Sequence, residues 1–347
     1  MTRTLADLLG IETPILLGPF GGLSSVALTA AVSELGGLGG YGLYGYAAER
    51  IAQTAAELRA RTGRPFALNL WLPTGEEVLP GDPPLAPFLD ALAPLFAAAG
   101  VDVPETPAAF LPSVDEQWEA VRDAAPAAVS VVFGVPAPHQ VEEARSRGIR
   151  LIGTATTVAE AVALEEGGVD AVVASGSEAG GHRVSFLARA EESLVGTMSL
   201  VPQVVDAVRV PVIAAGGIAD RRGVSAAFAL GASGVQVGSA FLRTRQSAAT
   251  EAHRRALAAS SDTGTVLTRA MSGRLARGIP NRAVRDIEAS GMIAPFPAQN
   301  WLTGVFRAAA SARGDEDLLS LWAGQSAAIG DRDDAAEVFA ELAAGLP

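Results

Sequence analysis

The sequence predicts a (β/α)8 barrel with a small inserted and C-terminal helical region, and three observations carry the prediction. Short apolar runs alternate with amphipathic stretches eight times over about 240 residues, the order of βα units and the size of a barrel. Several runs stop abruptly in glycine-rich exits, as at Gly18-Pro19-Phe20-Gly21-Gly22. The seventh and eighth exits, Ala215-Gly216-Gly217-Ile218-Ala219-Asp220 and Gln236-Val237-Gly238-Ser239-Ala240-Phe241, each run into a helix start, which is where barrels place a phosphate. A doubly wound open sheet shares the alternation and is the alternative architecture.

The elements follow in order. Pro14 to Gly18 reads as the first strand, and Ser24 as the cap of a helix reaching about Leu35. Gly36 to Tyr41 reads as a second tight strand exit, followed by an amphipathic helix from about Ala47 to Arg61 and a third strand from Phe66 to Leu70. Residues 73–112, rich in Pro and Ala, interrupt the alternation as an insertion with one helix around Leu85 to Ala98. The period resumes with a helix at Val114 to Ala124, a strand at Val129 to Phe133, a helix ending at Arg147, a strand at Arg150 to Gly153 and a helix at Thr157 to Glu166. The sixth strand, Asp170 to Ala174, is followed by a helix at Leu200 to Val208, the seventh strand at Pro211 to Ala215, a helix at Asp220 to Leu230 and the eighth strand at Gly234 to Val237. From about Ser247 the strand pattern stops, and the alanine-rich tail reads as helices packed on the barrel. The expected division is a barrel over 1–246 and a mainly helical region over 247–347.

Composition removes several chemistries. With a net charge of −12, the chain lacks the basic surface that a polyanion needs, so no nucleic-acid partner is expected. The N-terminus, Met1-Thr-Arg-Thr-Leu-Ala-Asp7, has no apolar leader run, and no apolar stretch is long enough to span a bilayer, so a cytoplasmic location without membrane contact is expected. Cysteine is absent, which excludes thiolate nucleophiles and iron–sulfur ligation. All 26 basic residues are arginine, which excludes lysine Schiff bases. His139, His182 and His253 show no metal-ligand spacing, and no metal is expected.

The stretch Val173-Ala-Ser-Gly-Ser-Glu-Ala-Gly-Gly-His-Arg183 stands at the centre of the chain. A buried strand breaks into small polar residues, then two glycines that permit close backbone approach, then one of only three histidines. Histidine is the best acid–base candidate available near neutral pH. Glu178 and Arg183 flank it, and whether either touches it stays open at this level.

Glu178-Ala-Gly-Gly-His-Arg183, taken with Ala214-Ala-Gly-Gly-Ile218 and Gln236-Val-Gly-Ser239, resembles the nitronate monooxygenase family, formerly called 2-nitropropane dioxygenases. The resemblance runs from Pro14 to about Phe241, with a weaker echo at Ala323-Gly324-Gln325. It implies a (β/α)8 barrel holding non-covalent FMN, and oxidation of alkyl nitronates, extending to nitroalkanes, by O2 through a flavin semiquinone, with release of nitrite and a carbonyl product. His182 takes the place of the catalytic histidine. The implied cofactor contacts are Phe20, Asn69, Ser175, Gly180, Gly181, Gly216, Gly217, Gln236, Val237, Gly238 and Ser239. Two positions depart from the family: Ser175 stands where glutamine is frequent, and Phe20 where methionine is usual.

FMN supplies redox chemistry that no residue here performs alone. For a neutral nitroalkane, His182 is the candidate base for the α-proton; for a nitronate, already deprotonated, it orients the anion or offsets its charge. The expected partners are a small-molecule nitronate or nitroalkane and O2, and a homo-oligomer is compatible with the sequence. Other readings stand beside this one: an FMN-dependent enoyl-acyl-carrier-protein reductase, an NAD(P)H:quinone reductase, a flavin-binding protein without turnover, and a flavin-free sugar-phosphate barrel. A chain of charge −12 repels an acidic carrier protein, and the missing lysine narrows the flavin-free option.

Overall fold

The computed structural model describes residues 4–347; Met1 to Arg3, on which part of the leader reading and of the expected barrel region falls, lie outside the described residues. Eight parallel strands form the barrel: β1 (Ile15–Leu17), β2 (Gly39–Gly42), β3 (Phe66–Trp71), β4 (Ala128–Val132), β5 (Arg150–Ala155), β6 (Ala171–Ser175), then β8 (Val212–Ala215) and β9 (Gly234–Val237), with β7 (Gly181–His182) outside the barrel sheet. Their spatial order is β1-β9-β8-β6-β5-β4-β3-β2. A parallel bridge between Leu16 and Leu38 brings β1 back to the start of β2, with Leu38 N donating to Ile15 O at 3.0 Å and Leu17 N to Leu38 O at 2.9 Å. The (β/α)8 expectation holds, and the open sheet is excluded by this closure.

Close packing explains why one strand was misread. The run expected to be a strand exit, Gly36 to Tyr41, contains most of β2. A Cβ at Gly39 would lie 2.1 Å from Thr29 O, at Gly40 2.4 Å from Leu17 O, and at Gly42 2.7 Å from Phe20 O. The preceding helix and the backbone of β1 and its exit press directly on this strand, so it is built of glycine and hides its strand character. The first barrel helix, Val26–Glu34, is capped by Ser25, whose Oγ accepts from Leu28 N at 3.0 Å. Ser24, the expected cap, instead accepts from Phe20 N (3.1 Å) and Gly42 N (3.0 Å), tying the exits of β1 and β2 together.

Inside the barrel, side chains alternate with the strand period of two. Ala67, Ala128, Ile152 and Val173 form an apolar layer with Leu5 and Leu9 of the helix Leu5–Leu9, which plugs the N-terminal end. Two residues further along the same strands stand Asn69, Ser130, Thr154 and Ser175. The interior therefore turns from apolar to polar toward the C-terminal ends, where barrels carry their sites.

The tail is more than helices. β10 (Val266–Thr268) and β11 (Ala276–Gly278) pair antiparallel, and β11 pairs with β7, setting Ala276 against His182. The expectation that strands stop after Ser247 is corrected here; three-residue strands reading Val-Leu-Thr and Ala-Arg-Gly are too short to show alternation. The inserted helix Ala86–Ala99 shares a second apolar core with tail helices Arg282–Ser290 and Ala298–Arg313, through Leu92, Phe96, Ile287, Leu302 and Phe306. The last helix, Ala335–Ala343, returns to the barrel surface through Val338, Phe339 and Leu342. No described helix is long and apolar enough to cross a membrane.

Candidate active site

A cavity of about 360 Å³ opens above the polar layer, a size that suits a cofactor or small-molecule site. Its floor is Asn69, Ser130, Thr154, Ser175 and Gln236, one residue from each of β3, β4, β5, β6 and β9. Asn69 Nδ2 donates to Ser130 Oγ (3.0 Å) and Ser130 O (3.2 Å), which leaves Oδ1 free of protein donors. Among the described residues, the side chains of Thr154, Ser175 and Gln236 have no protein hydrogen-bond partner. These polar groups face the cavity, so a ligand there is their natural complement.

One end of the cavity is made of backbone. Gly216 and Gly217, at the exit of β8, adopt φ of +98° and +74°, a region that disfavours any other residue. Among the described residues, no protein acceptor takes the N–H of Gly216, Gly217, Gly238 or Ser239. A cluster of unclaimed N–H groups at two adjacent strand exits is a seat for an anion. The tail closes this end: Gly324 N donates to Ser239 Oγ (2.8 Å), Gln325 N to Glu178 O (3.0 Å) and Ser326 Oγ to Gly217 O (2.8 Å). A Cβ on Gly180 would lie 2.5 Å from Gly324 N, so the two glycine stretches meet backbone to backbone.

The other end is made of side chains. His182 is held by β11 and packs edge-on to Trp71 with ring centres 4.9 Å apart, with Trp322 at 5.2 Å and Phe133 at 6.5 Å. Its Nε2 lies 2.8 Å from Ser272 Oγ. Ser272 Oγ in turn lies 3.1 Å from Arg274 O and accepts from Arg274 N at 3.3 Å, which fixes the serine beside the imidazole. Burial, then the positive charges of Arg274 and Arg307, push the imidazole down to about 3. His182 is therefore neutral throughout the physiological range.

The other titratable neighbours have structural tasks. Glu178 accepts from Thr197 N (2.9 and 3.0 Å) and Thr197 Oγ1 (2.9 Å), capping the helix Thr197–Ala207 instead of touching His182. Arg183, 2% exposed, donates to Gly176 O (2.6 Å) and Ser175 O (3.0 Å) and clamps the loop. His253 is buried with Nε2 at 3.0 Å from Trp322 O, and His139 is exposed.

Of the residues singled out in the sequence, Phe20, Asn69, Ser175, Gly180, Gly181, His182, Gly216, Gly217, Gln236, Gly238 and Ser239 all line the cavity. Val237 does not; its side chain is fully buried behind the wall, and its carbonyl accepts from Gly18 N at 2.8 Å. Ser130 and Thr154 were missed, although continuing the inward alternation of their strands by one step would have found them. Tyr44, Trp71, Phe296, Trp322 and Arg307, also in the wall, carried no local pattern that sequence reading could use.

The sequence model of the nitronate monooxygenase family matches residues 2–345. A nitronate monooxygenase of Pseudomonas aeruginosa is 41% identical over 356 residues, covering 99% of this chain and 98% of that protein. A probable nitronate monooxygenase of Staphylococcus saprophyticus is 38% identical, covering 94% and 92%. Among solved structures, the nitroalkane oxidase of Streptomyces ansochromogenes superposes with a TM-score of 0.89 at 35% identity, covering 98% of this chain and 97% of the other. FabK of Thermotoga maritima superposes at 0.76 with 30% identity, covering 99% and 95%.

Proposed function

The chain belongs to the nitronate monooxygenase family, and on that premise we propose that it is an FMN-dependent oxidoreductase that oxidises alkyl nitronates with O2, releasing nitrite and a carbonyl product. The observation that carries the cofactor assignment is the set of unclaimed N–H groups at Gly216, Gly217, Gly238 and Ser239, beside a cavity that also contains His182. These groups suit one terminal phosphate, and peptide N–H donors hold it without the lysine this chain lacks. Asn69, Ser175 and Gln236 offer unpaired polar atoms toward the same space for the ring, with Phe20 and Gly180 beside it. When bound, the flavin supplies the electron transfer.

The chain's own residues do the rest. Trp71, Phe133 and Trp322 pack around the imidazole of His182, which stays neutral. A neutral nitroalkane must first lose its α-proton, a step for which His182 is the available base, whereas a preformed nitronate skips that step. The preformed nitronate is thus the substrate this site handles best, with His182 orienting the anion. To test this, cofactor released by heat from the purified protein is identified, and nitrite and O2 are followed with an alkyl nitronate. FMN release with nitrite formation is expected; a colourless protein that takes up no FMN would end this reading.

A further inference from the structure

Two arginines act electrostatically on His182, and only one has a counter-ion. Arg274 pairs with Glu77 and lies over the rings of Phe133 (4.3 Å) and Phe296 (3.9 Å). Arg307 has no such partner. Its Nη1 donates to Ser320 Oγ (2.9 Å), and its Nη2 to Asn300 O (2.9 Å) and Asn300 Oδ1 (2.8 Å). Its Nε–H is buried and meets no acceptor. Among the described residues, no carboxylate forms an ion pair with it, and desolvation pulls the guanidinium down to about 10. A half-buried cation without a counter-charge, facing two pockets, needs a reason beyond the fold.

Position supplies one. Arg307 stands in a wall shared by the inner cavity and an outer pocket of about 390 Å³. Tyr44 and Asn300 stand in the same wall, with Asn300 Nδ2 donating to Tyr44 OH at 3.0 Å. The outer pocket is otherwise largely apolar, walled by Phe110, Leu111, Trp301 and Val305, and Phe110 comes from the insertion. Glu178, Ser239 and Ser326, the charged or hydroxyl-bearing groups at the cavity's far end, are already engaged.

We propose that Arg307 is the seat for a planar two-oxygen anion on the substrate, with the substrate's apolar part reaching into the outer pocket. The guanidinium is built for such anions: planar, permanently charged, and with donors to spare. The inference rests on the nitronate reading above and deepens it. The anion is either the nitronate group itself or a carboxylate carried on its substituent.

Nitrate, a planar oxyanion that does not react, is titrated into the flavin-bound wild type and the Arg307→Met variant, and binding is read from the flavin absorbance. At least a thirtyfold weaker nitrate affinity in the variant is expected; equal affinities overturn the proposal. The kcat/KM is then measured for an alkyl nitronate with no other charge and for one that also carries a carboxylate. Large losses with both assign the seat to the nitronate group, and a loss confined to the second assigns it to the carboxylate. Losses below threefold with both overturn the proposal. If Arg307→Met fails to hold flavin, Arg307→Lys and Arg307→Gln decide: nitrate affinity at least fivefold higher with lysine supports a charge seat, and equal affinity contradicts it. Nitrate binding needs no turnover. A wild type that binds nitrate through Arg307 but makes no nitrite would sink the proposed function and leave the seat standing.

Discussion

The two ends of the cavity are built from different material. At the exits of β8 and β9 the wall is peptide backbone: four N–H groups from residues 216–217 and 238–239, with hardly a side chain involved. Around His182 the wall is side chains, and most come from far along the chain: Ser272 and Arg274 near β11, and Asn300, Arg307 and Trp322 beyond it. A seat for one fixed anion can be made by the fold itself, because strand exits already orient their amides. An end that must choose among organic anions and shut out water needs bulk and charge, which only side chains supply.

This contrast can be broken from either side, and the side-chain end should give the larger effect. His182→Asn keeps a donor of similar reach and removes the basic nitrogen. We expect kcat/KM for a neutral nitroalkane to fall about 10²–10⁴-fold, and much less for the preformed nitronate, with flavin content unchanged. Equal losses with both substrates would make His182 an electrostatic or binding group in each.

Substitutions at the backbone end should instead cost cofactor. In Gly180→Val the new Cβ meets Gly324 N at 2.5 Å and Ala323 C at 2.6 Å, backbone that cannot step aside. Flavin affinity should fall at least about 100-fold, the loss given by ~3 kcal/mol of overpacking. Gly217→Val has room, with Glu178 Cβ at 3.7 Å as its nearest neighbour, so only its φ of +74° opposes it. That strain is about 1–2 kcal/mol, or roughly tenfold. Dissociation constants from flavin titration would expose the ranking, and a Gly217 variant weaker than the Gly180 variant would show that the anion seat, not tail closure, dominates.

A smaller effect follows from charge. His182 and His253 are pushed down to about 3 and about 4, in both cases chiefly by burial. In the unfolded chain each titrates near 6.5, so the unfolded state binds more protons over the interval between. Stability should therefore fall as pH drops below about 6.5, by on the order of 1 kcal/mol per pH unit for each histidine. Chemical denaturation between pH 4.5 and 8 would measure it, and His182→Asn should flatten the slope by about half. Over pH 5–8, kcat/KM for nitronate should carry no inflection from His182.

The backbone end was legible in the sequence, and the side-chain end largely was not, for the same physical reason. Glycine at a strand exit is a local pattern: Gly216-Gly217 and Gly238-Ser239 announce a backbone-lined exit within a few residues. β2 shows the limit of that rule, since its glycines answer to the carbonyls of Thr29, Leu17 and Phe20 pressed on the strand, and read as a turn. Arg307 and Trp322 sit in an alanine-rich helical tail whose pattern describes only their own helix or loop. Their meeting with His182 depends on β11 pairing with β7, a contact between residues 181–182 and 276–277 that no local periodicity encodes. Val237 was included for its backbone, as part of the Gln236–Ser239 motif, and strand alternation turns its side chain away from the cavity between Gln236 and Gly238.

The central claim is that this cavity passes electrons from a nitronate to a bound flavin and then to O2. Anaerobic mixing of the flavin-bound protein with an alkyl nitronate, or separately with reduced nicotinamide, tests it most directly. The account predicts rapid bleaching of the flavin by nitronate, little change with the nicotinamide, and nitrite appearing once O2 is admitted. Rapid bleaching by the nicotinamide with none by nitronate would contradict it and move the protein to the reductase branch of its fold.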